Sequence, residues 1–226
     1  MNADIQKEMH FYFDERAEEY DDFYAGKGPA IQHYGGMYVK DFAQIAEVVS
    51  EFRGKHLIDI ACGTAYWSQF YASACEEVTC LDQSANMLNQ AQARIKDQEL
   101  EAPNLIHADV FDIDLGAAVY DRAFVSILLS HFSREQDTAF FARLKQILQP
   151  GGELMVVDSL WNPRRSKYRK QESIEERGLK DGRKFRVFKR YMDQGGMARL
   201  LQSHSFTIKS LYVGDMLLAI RAVGPS

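Results

Sequence analysis

The sequence predicts a doubly wound α/β domain: a seven-stranded, mostly parallel sheet with helices on both faces, an N-terminal helical cap and a β-hairpin insertion. Three observations predict it. Short apolar runs alternate with amphipathic helical stretches, the pattern of βαβ units. The run Leu57 to Ile60 is apolar except for Asp59, as in a strand buried on both faces, and it ends in the small residues Ala61, Cys62, Gly63, Thr64 and Ala65. Two closing apolar runs, Ser205 to Val213 and Met216 to Val223, flank Gly214-Asp215, the mark of a terminal hairpin.

Composition narrows the class. The chain has 226 residues, 46% hydrophobic and 26% charged, which suits one large domain with an elaboration. No apolar run approaches the roughly 20 residues of a membrane span, and the N-terminus shows no signal-peptide core. Cys62, Cys75 and Cys80 are odd in number and lack Cys-x-x-Cys spacing, so free thiols in a reducing cytoplasm are expected. The six histidines are scattered without zinc-ligand spacing, and no metal is expected. A net charge of −5 argues against the whole protein being a nucleic-acid binder.

In chain order, Asp4 to Tyr24 reads as a charged helix with an aromatic stripe that includes Tyr20, Phe23 and Tyr24. A break follows at Ala25 to Ala30, suited to a lid loop, then His33, Tyr34 and a second helix from about Gly36 to Phe52 that carries Tyr38. The first strand and its small-residue loop lead into a helix, Tyr66 to Ala74. Small residues at that point let a ligand approach the backbone closely, and helix amides can meet its polar groups. The second strand, Glu77 to Asp82, ends in an acid 19 residues beyond Gly63, where nucleotide-binding folds hold ribose hydroxyls. Ser84 is placed to cap the helix that carries Met87. Asn104 to Phe111 reads as the third strand and its exit, and Tyr120 to Phe132 as the fourth, with His131 at the ligand-facing edge. A helix from Glu135 to Leu148 stops at Pro150-Gly151-Gly152, a fifth strand ends at Asp158, and Trp161 leaves on the substrate side. Between Arg164 and Arg190 lie 12 basic and 4 acidic residues, with two runs flanking Asp181-Gly182, a hairpin signal. A solvated hairpin, an anionic substrate, an oligomer contact within a homodimer and RNA all remain open for it. The last helix spans Asp193 to His204.

Five segments carry a family resemblance. Asp59-x-Ala61-x-Gly63-x-Ala65 resembles motif I of the class I S-adenosylmethionine-dependent methyltransferases, with Ala61 and Ala65 where that motif has glycine. Phe13-Asp14-x-x-Ala17-x-x-Tyr20-Asp21 is similar to the segment that precedes motif I in small-molecule members, including quinone-methylating ones. Leu81-Asp82-x-Ser84-x-x-Met87-Leu88, Ala108-Asp109-x-Phe111 and Leu148-x-Pro150-Gly151-Gly152-x-Leu154 resemble three further signatures. The resemblance implies strand order 3-2-1-4-5-7-6 with the last strand antiparallel, and S-adenosylmethionine as cofactor. It divides the chain into a cap, 1–40, and a Rossmann-like domain, 41–226, with a substrate-side insertion at 160–192.

The cofactor residues it implies are Tyr20, Asp59, Ala61, Cys62, Gly63 and Thr64, then Asp82 on ribose with Gln83 and Met87. Asp109 on the adenine amine follows, with Ala108, Val110, Phe111 and, at the end of the fourth strand, Ile127. Tyr24, His33, Tyr34, Tyr38, His131 and Trp161 form the expected acceptor wall, and His131 is the candidate base. That wall suits a planar aromatic or heterocyclic oxygen or nitrogen acceptor, a small molecule with no membrane partner. RNA or protein methylation through the basic segment, an NAD-dependent oxidoreductase and a non-catalytic nucleotide-binding protein are the competing readings.

Overall fold

Alternation within the strands builds the core. The computed structural model describes residues 3–28, 31, 34–100 and 103–226. Along the fourth strand, Ala123 and Val125 enter one apolar layer while Phe124 enters the other. Both faces of the sheet are therefore covered, as a doubly wound fold requires.

The elements in order are α1 (Ala3–Glu15), α2 (Gly35–Ser50), β1 (Gly54–Ile60), α3 (Ser68–Tyr71), β2 (Cys75–Asp82), α4 (Ala85–Asp97), β3 (Asn104–His107), β4 (Tyr120–Ser126), α5 (Arg134–Ile147), β5 (Leu148–Ser159), β6 (Glu172–Gly178), β7 (Lys184–Arg190), α6 (Gln194–Ser203), β8 (Thr207–Val213) and β9 (Leu217–Val223). The main sheet runs β3-β2-β1-β4-β5-β9-β8, and β9 is antiparallel to β5. With the separate β6–β7 hairpin set aside, this is the expected order 3-2-1-4-5-7-6. The fourth strand stops earlier than the sequence suggests: after Ser126 the chain turns through a 3-10 segment, Leu129–His131. Likewise the expected helix after the loop shrinks to α3 and a 3-10 turn, Ala72–Ala74.

Two elements pack where they matter for the site. One face of α2 buries Phe42, Ile45 and Val49 against Trp67, Phe124 and Met155. The hairpin branches from the end of β5 and packs on α1, joined by Tyr12, Leu179 and Val187. Three exposed ion pairs edge that joint: Glu8–Arg186 at 2.8 Å, Glu15–Arg183 at 2.6 Å and Asp22–Lys180 at 2.5 Å.

The turn between β8 and β9 is held by a buried carboxylate. Asp41 of α2 accepts backbone amides from Asp215 (3.0 Å), Met216 (2.6 Å) and Leu217 (2.9 Å). A Cβ on Gly214 would stand 2.3 Å from the Asp41 carboxylate, so the close approach needs glycine. Asp41→Ala leaves three buried amides short of an acceptor and should lower stability by about 3 kcal/mol in urea unfolding. Gly214→Ala should destabilise in the same direction by crowding that carboxylate.

Candidate active site

At the junction of β1 and β4 the strand order reverses, and the carboxyl ends of these strands diverge, which is where ligands of open α/β sheets bind. A cavity of about 310 Å³ opens there. Its backbone wall is the β1 loop, in which Ala61 (φ 59°), Gly63 (φ 57°) and Ala65 (φ 53°) all adopt the left-handed conformation. Glycine takes this geometry freely, whereas alanine is penalised by about 1–2 kcal/mol. The two substitutions in the glycine pattern thus keep the loop's shape at an energetic cost. Ile127, just past β4, also has positive φ, at 52°. A β-branched residue there is strained, and such strain is typical of functional edges.

Asp82 closes the other side. Its carboxylate accepts from the amides of Gly63 and Ser84, both at 2.8 Å, so the acid and the loop are one unit. Burial pushes its carboxyl up, against the pull of those amides. Tyr20, Gln83, Met87, Ala108, Asp109, Val110 and Phe111 complete the wall, with Ile127 and His131 at the far end. Asp109 uses one oxygen on the Phe111 amide at 2.9 Å, an Asx-turn, which leaves the other for a ligand.

The segment from Phe13 to Asp21 crosses this cavity, and its pattern divides cleanly by task. Phe13 and Tyr20 face the cavity. Asp14 accepts from Ser84 Oγ (2.6 Å) and Asn86 Nδ2 (2.9 Å), and so ties α1 to the start of α4. Asp21 accepts from Thr64 Oγ1 at 2.6 Å and pairs with Arg94.

Beyond Phe13, Tyr20, Ile127 and His131 a second chamber of about 60 Å³ opens. Five cations line it: Arg16, Arg165, Arg169, Arg177 and Lys189. Glu175 pairs with Arg177 at 2.5 Å and with Arg169 at 3.7 Å. Among the described residues, Arg16, Arg165 and Lys189 form no ion pair. Arg165 is instead held by the carbonyls of Leu160 (2.7 Å) and Met216 (2.9 Å) and by the Tyr38 hydroxyl (3.1 Å), with its guanidinium 4.4 Å from the Tyr191 ring centre.

Several expected site residues stand elsewhere. Asp59 points behind the loop to the Tyr71 hydroxyl, and burial lifts its carboxyl to about 7. Cys62 and Thr64 are buried in the loop but lie outside the cavity wall. Tyr24 stacks on Tyr66 at 3.7 Å, Tyr34 stacks on Tyr168 at 5.1 Å, and Trp161 packs near Tyr191 at 6.1 Å; none of the three lines either cavity. Of the acceptor wall, Tyr38 and His131 do line the chamber. His33 lies outside the described residues. The chamber's cations, together with Met9, His10 and Gln6 of α1 in the larger cavity, have no counterpart in the sequence-based site. For Arg165, Arg169, Arg177 and Lys189 the signal was the basic excess of 164–190, which does not reveal which side chains turn inward.

The setting of His131 works against a base. Its Nδ1 lies 2.8 Å from the Phe188 carbonyl, so Nδ1–H donates there and Nε2 faces Lys189 Nζ at 3.3 Å. Burial and then the Lys189 charge hold its pKa well below the usual histidine range. Accepting a proton would place a second buried cation beside the first. A neutral His131 thus lies beside Lys189, which also donates to Ser130 Oγ at 2.6 Å.

Burial brings the Lys189 ammonium from the usual 10.5 down to about 7, against the pull of Asp158 and Glu175 and with the push of Arg177 and Arg165. The unfolded chain keeps that proton to higher pH than the native chain does. The native state therefore gains stability as pH rises from about 7 towards 10.5, and the penalty is full below 7. Lys189→Met should accordingly stabilise the protein, and by more at pH 6 than at pH 9, in paired urea titrations.

Comparison with known proteins agrees with this architecture. A methyltransferase domain family matches residues 57–152. A demethylmenaquinone methyltransferase of Listeria welshimeri is 25% identical over 126 residues, 54% of this chain and 52% of the relative, so the match spans about half the length of such relatives. The DhpI–SAM–HEP complex superposes with a TM-score of 0.78 at 24% identity over 100% of both chains. A Pyrococcus horikoshii protein follows at 0.69 and 17%, over 94% of this chain and 99% of its own. The chain therefore shares its fold with these solved structures, and its residues 57–152 match a methyltransferase domain family.

Proposed function

We propose that the chain transfers a methyl group from S-adenosylmethionine to a small-molecule acceptor. The observation that carries this reading is the pair of cavities meeting at Phe13, Tyr20, Ile127 and His131, one large with a nucleotide-type acid, the other smaller and lined by cations. The residues of the large cavity fit the cofactor. Asp82, fixed against the Gly63 amide, suits ribose hydroxyls, and Asp109 with its spare oxygen suits the adenine amine between Met87 and Phe111. The left-handed β1 loop lets the methionine part lie close to backbone.

Bound there, S-adenosylmethionine supplies a methyl group already activated by its sulfonium. The chain's own task is positional: to exclude water at the junction and hold the acceptor atom in line, which supplies much of the rate gain in such transfers. A neutral His131 with both nitrogens engaged is consistent with a reaction that needs no enzyme base. In this reading residues 1–40 act as a cap over the 41–226 domain, and 160–192 as its acceptor-side insertion. A polymer acceptor is poorly served, because the chamber lined by the hairpin's inner face is small, about 60 Å³, and the hairpin's outer edge is paired to α1. A planar aromatic acceptor is also less well served than the sequence suggests, since Trp161 lies outside both cavities.

Calorimetric titration with S-adenosylmethionine and S-adenosylhomocysteine tests the reading. Asp82→Ala removes a charged acceptor worth about 1.5–3 kcal/mol, so affinity should fall roughly tenfold or more. Unchanged affinity in the folded variant, or tighter binding of NADH, overturns it. The cap has its own test. Asp14→Ala releases Ser84 and Asn86 together, and should speed amide hydrogen exchange across α1 while leaving β1 protected.

A further inference from the structure

The second chamber selects its occupant by charge. We infer that the methyl acceptor is a small oxyanion, a carboxylate or a phosphoryl-type group, methylated on an anionic oxygen that Arg16, Arg165, Arg177 and Lys189 hold beside the junction. This deepens the proposed function and rests on it.

The inference stands on position, burial and charge count. Arg165 and Lys189 are 3% and 4% exposed, so both are removed from water. Taking one ion out of water carries an effective penalty of several kcal/mol unless a counter-charge accompanies it. Among the described residues, only Glu175 forms ion pairs with the five cations, through Arg177 and Arg169. Asp158 of β5 is a second carboxylate whose charge favours protonated Lys189, and it also accepts the amides of Ser130 (2.9 Å) and Ser159 (2.6 Å), so two carboxylates stand against five cations. A chamber assembled for stability would not collect cations in this ratio. One built to receive an anion would, because the incoming charge offsets the deficit.

At about 60 Å³ against about 310 Å³, the chamber is the smaller of the two cavities. The wall also supplies hydroxyl donors, Tyr12, Tyr38 and Ser159, which suit an acceptor with several oxygens.

The chemistry closes without a base. An anionic oxygen already carries the lone pair that forms the new O–C bond, while the C–S bond breaks with its pair returned to sulfur. No proton moves, in keeping with a neutral His131 whose nitrogens are occupied. The acceptor loses one negative charge in the step, so the chamber holds the methyl ester less tightly than the acid, and release follows from the same electrostatics that favour binding.

The test is titration of the full chain saturated with S-adenosylhomocysteine, using ethyl phosphate and propionate as probes and propionamide as the uncharged control. At least one anion should bind tenfold or more tightly than the amide. Lys189→Met and Arg177→Gln should each lower that affinity tenfold or more while leaving S-adenosylhomocysteine affinity within about threefold, which also shows that they fold. Preference for ethyl phosphate assigns a phosphoryl-type acceptor, and preference for propionate a carboxylate. Equal binding of anions and amide, or anion binding that neither variant weakens, overturns the inference while the cofactor reading stands. Absence of S-adenosylhomocysteine binding overturns the methyltransferase reading and the acceptor assignment with it.

Discussion

Positive charge buried beyond what nearby carboxylates neutralise is the constraint around which the second chamber is arranged. Water is excluded from Arg165 and Lys189, so their charges must be spread over dipoles and rings. Arg165 does this with two carbonyls, a phenol and an aromatic face. Those partners come from α2, the exit of β5 and the start of β9, elements that Asp41 also ties together through the β8–β9 turn. Lys189 has a serine hydroxyl, an imidazole and the Tyr191 ring at 5.4 Å, and it responds by giving up its proton more readily. The hairpin sorts its charges by strand parity: Glu175, Arg177, Val187 and Lys189 turn inward, while Lys184 and Glu176 pair outside at 2.7 Å. Affinity for an anion and stability of the empty fold thus pull in opposite directions at the same side chains, a common trade at functional sites.

The cofactor side was largely legible in the sequence because its logic is local. A buried strand, a small-residue loop and an acid at fixed spacing can be read along one βαβ unit, and Gly63, Asp82 and Asp109 stand where that spacing puts them. Strand order followed from the resemblance and from the alternation of elements. The acceptor side was not legible, because its chemistry is decided by contacts distant in sequence. His131 reads as a base in isolation, and only Lys189 and the Phe188 carbonyl, on a strand nearly sixty residues later, reveal its role. Tyr24 and Tyr34 look like pocket aromatics until Tyr66 and Tyr168 are found stacked on them. Asp59 fits the motif, yet Tyr71 turns it away from the cavity. Basic residues could be counted from 164 to 190, but inward and outward positions differ by one residue of register.

The segment before motif I shows why a short pattern can specify a long-range arrangement. Its aromatic positions, Phe13 and Tyr20, meet the cavities, and its acids, Asp14 and Asp21, anchor it to α4 and to the β1 loop. Each set has one member on α1 and one on the 3-10 segment Ala17–Asp22 that follows, so both parts of the segment supply contact and anchorage together. Loss of an anchor would therefore displace the aromatic next to it.

The three exposed ion pairs between the cap and the hairpin bear on how the enzyme would respond to salt. Pairs in water are individually weak and fade as the screening length shrinks to about 10 Å near 0.1 M. If the cap swings off the hairpin to admit the acceptor, added salt loosens the latch at Glu8, Glu15 and Asp22 and speeds entry. The same ions compete for the inner cations and thin out the bound anion. Opening and occupancy then run in opposite directions, and turnover passes through a maximum at an intermediate ionic strength set by the solvent-facing latch rather than by the chemistry behind it.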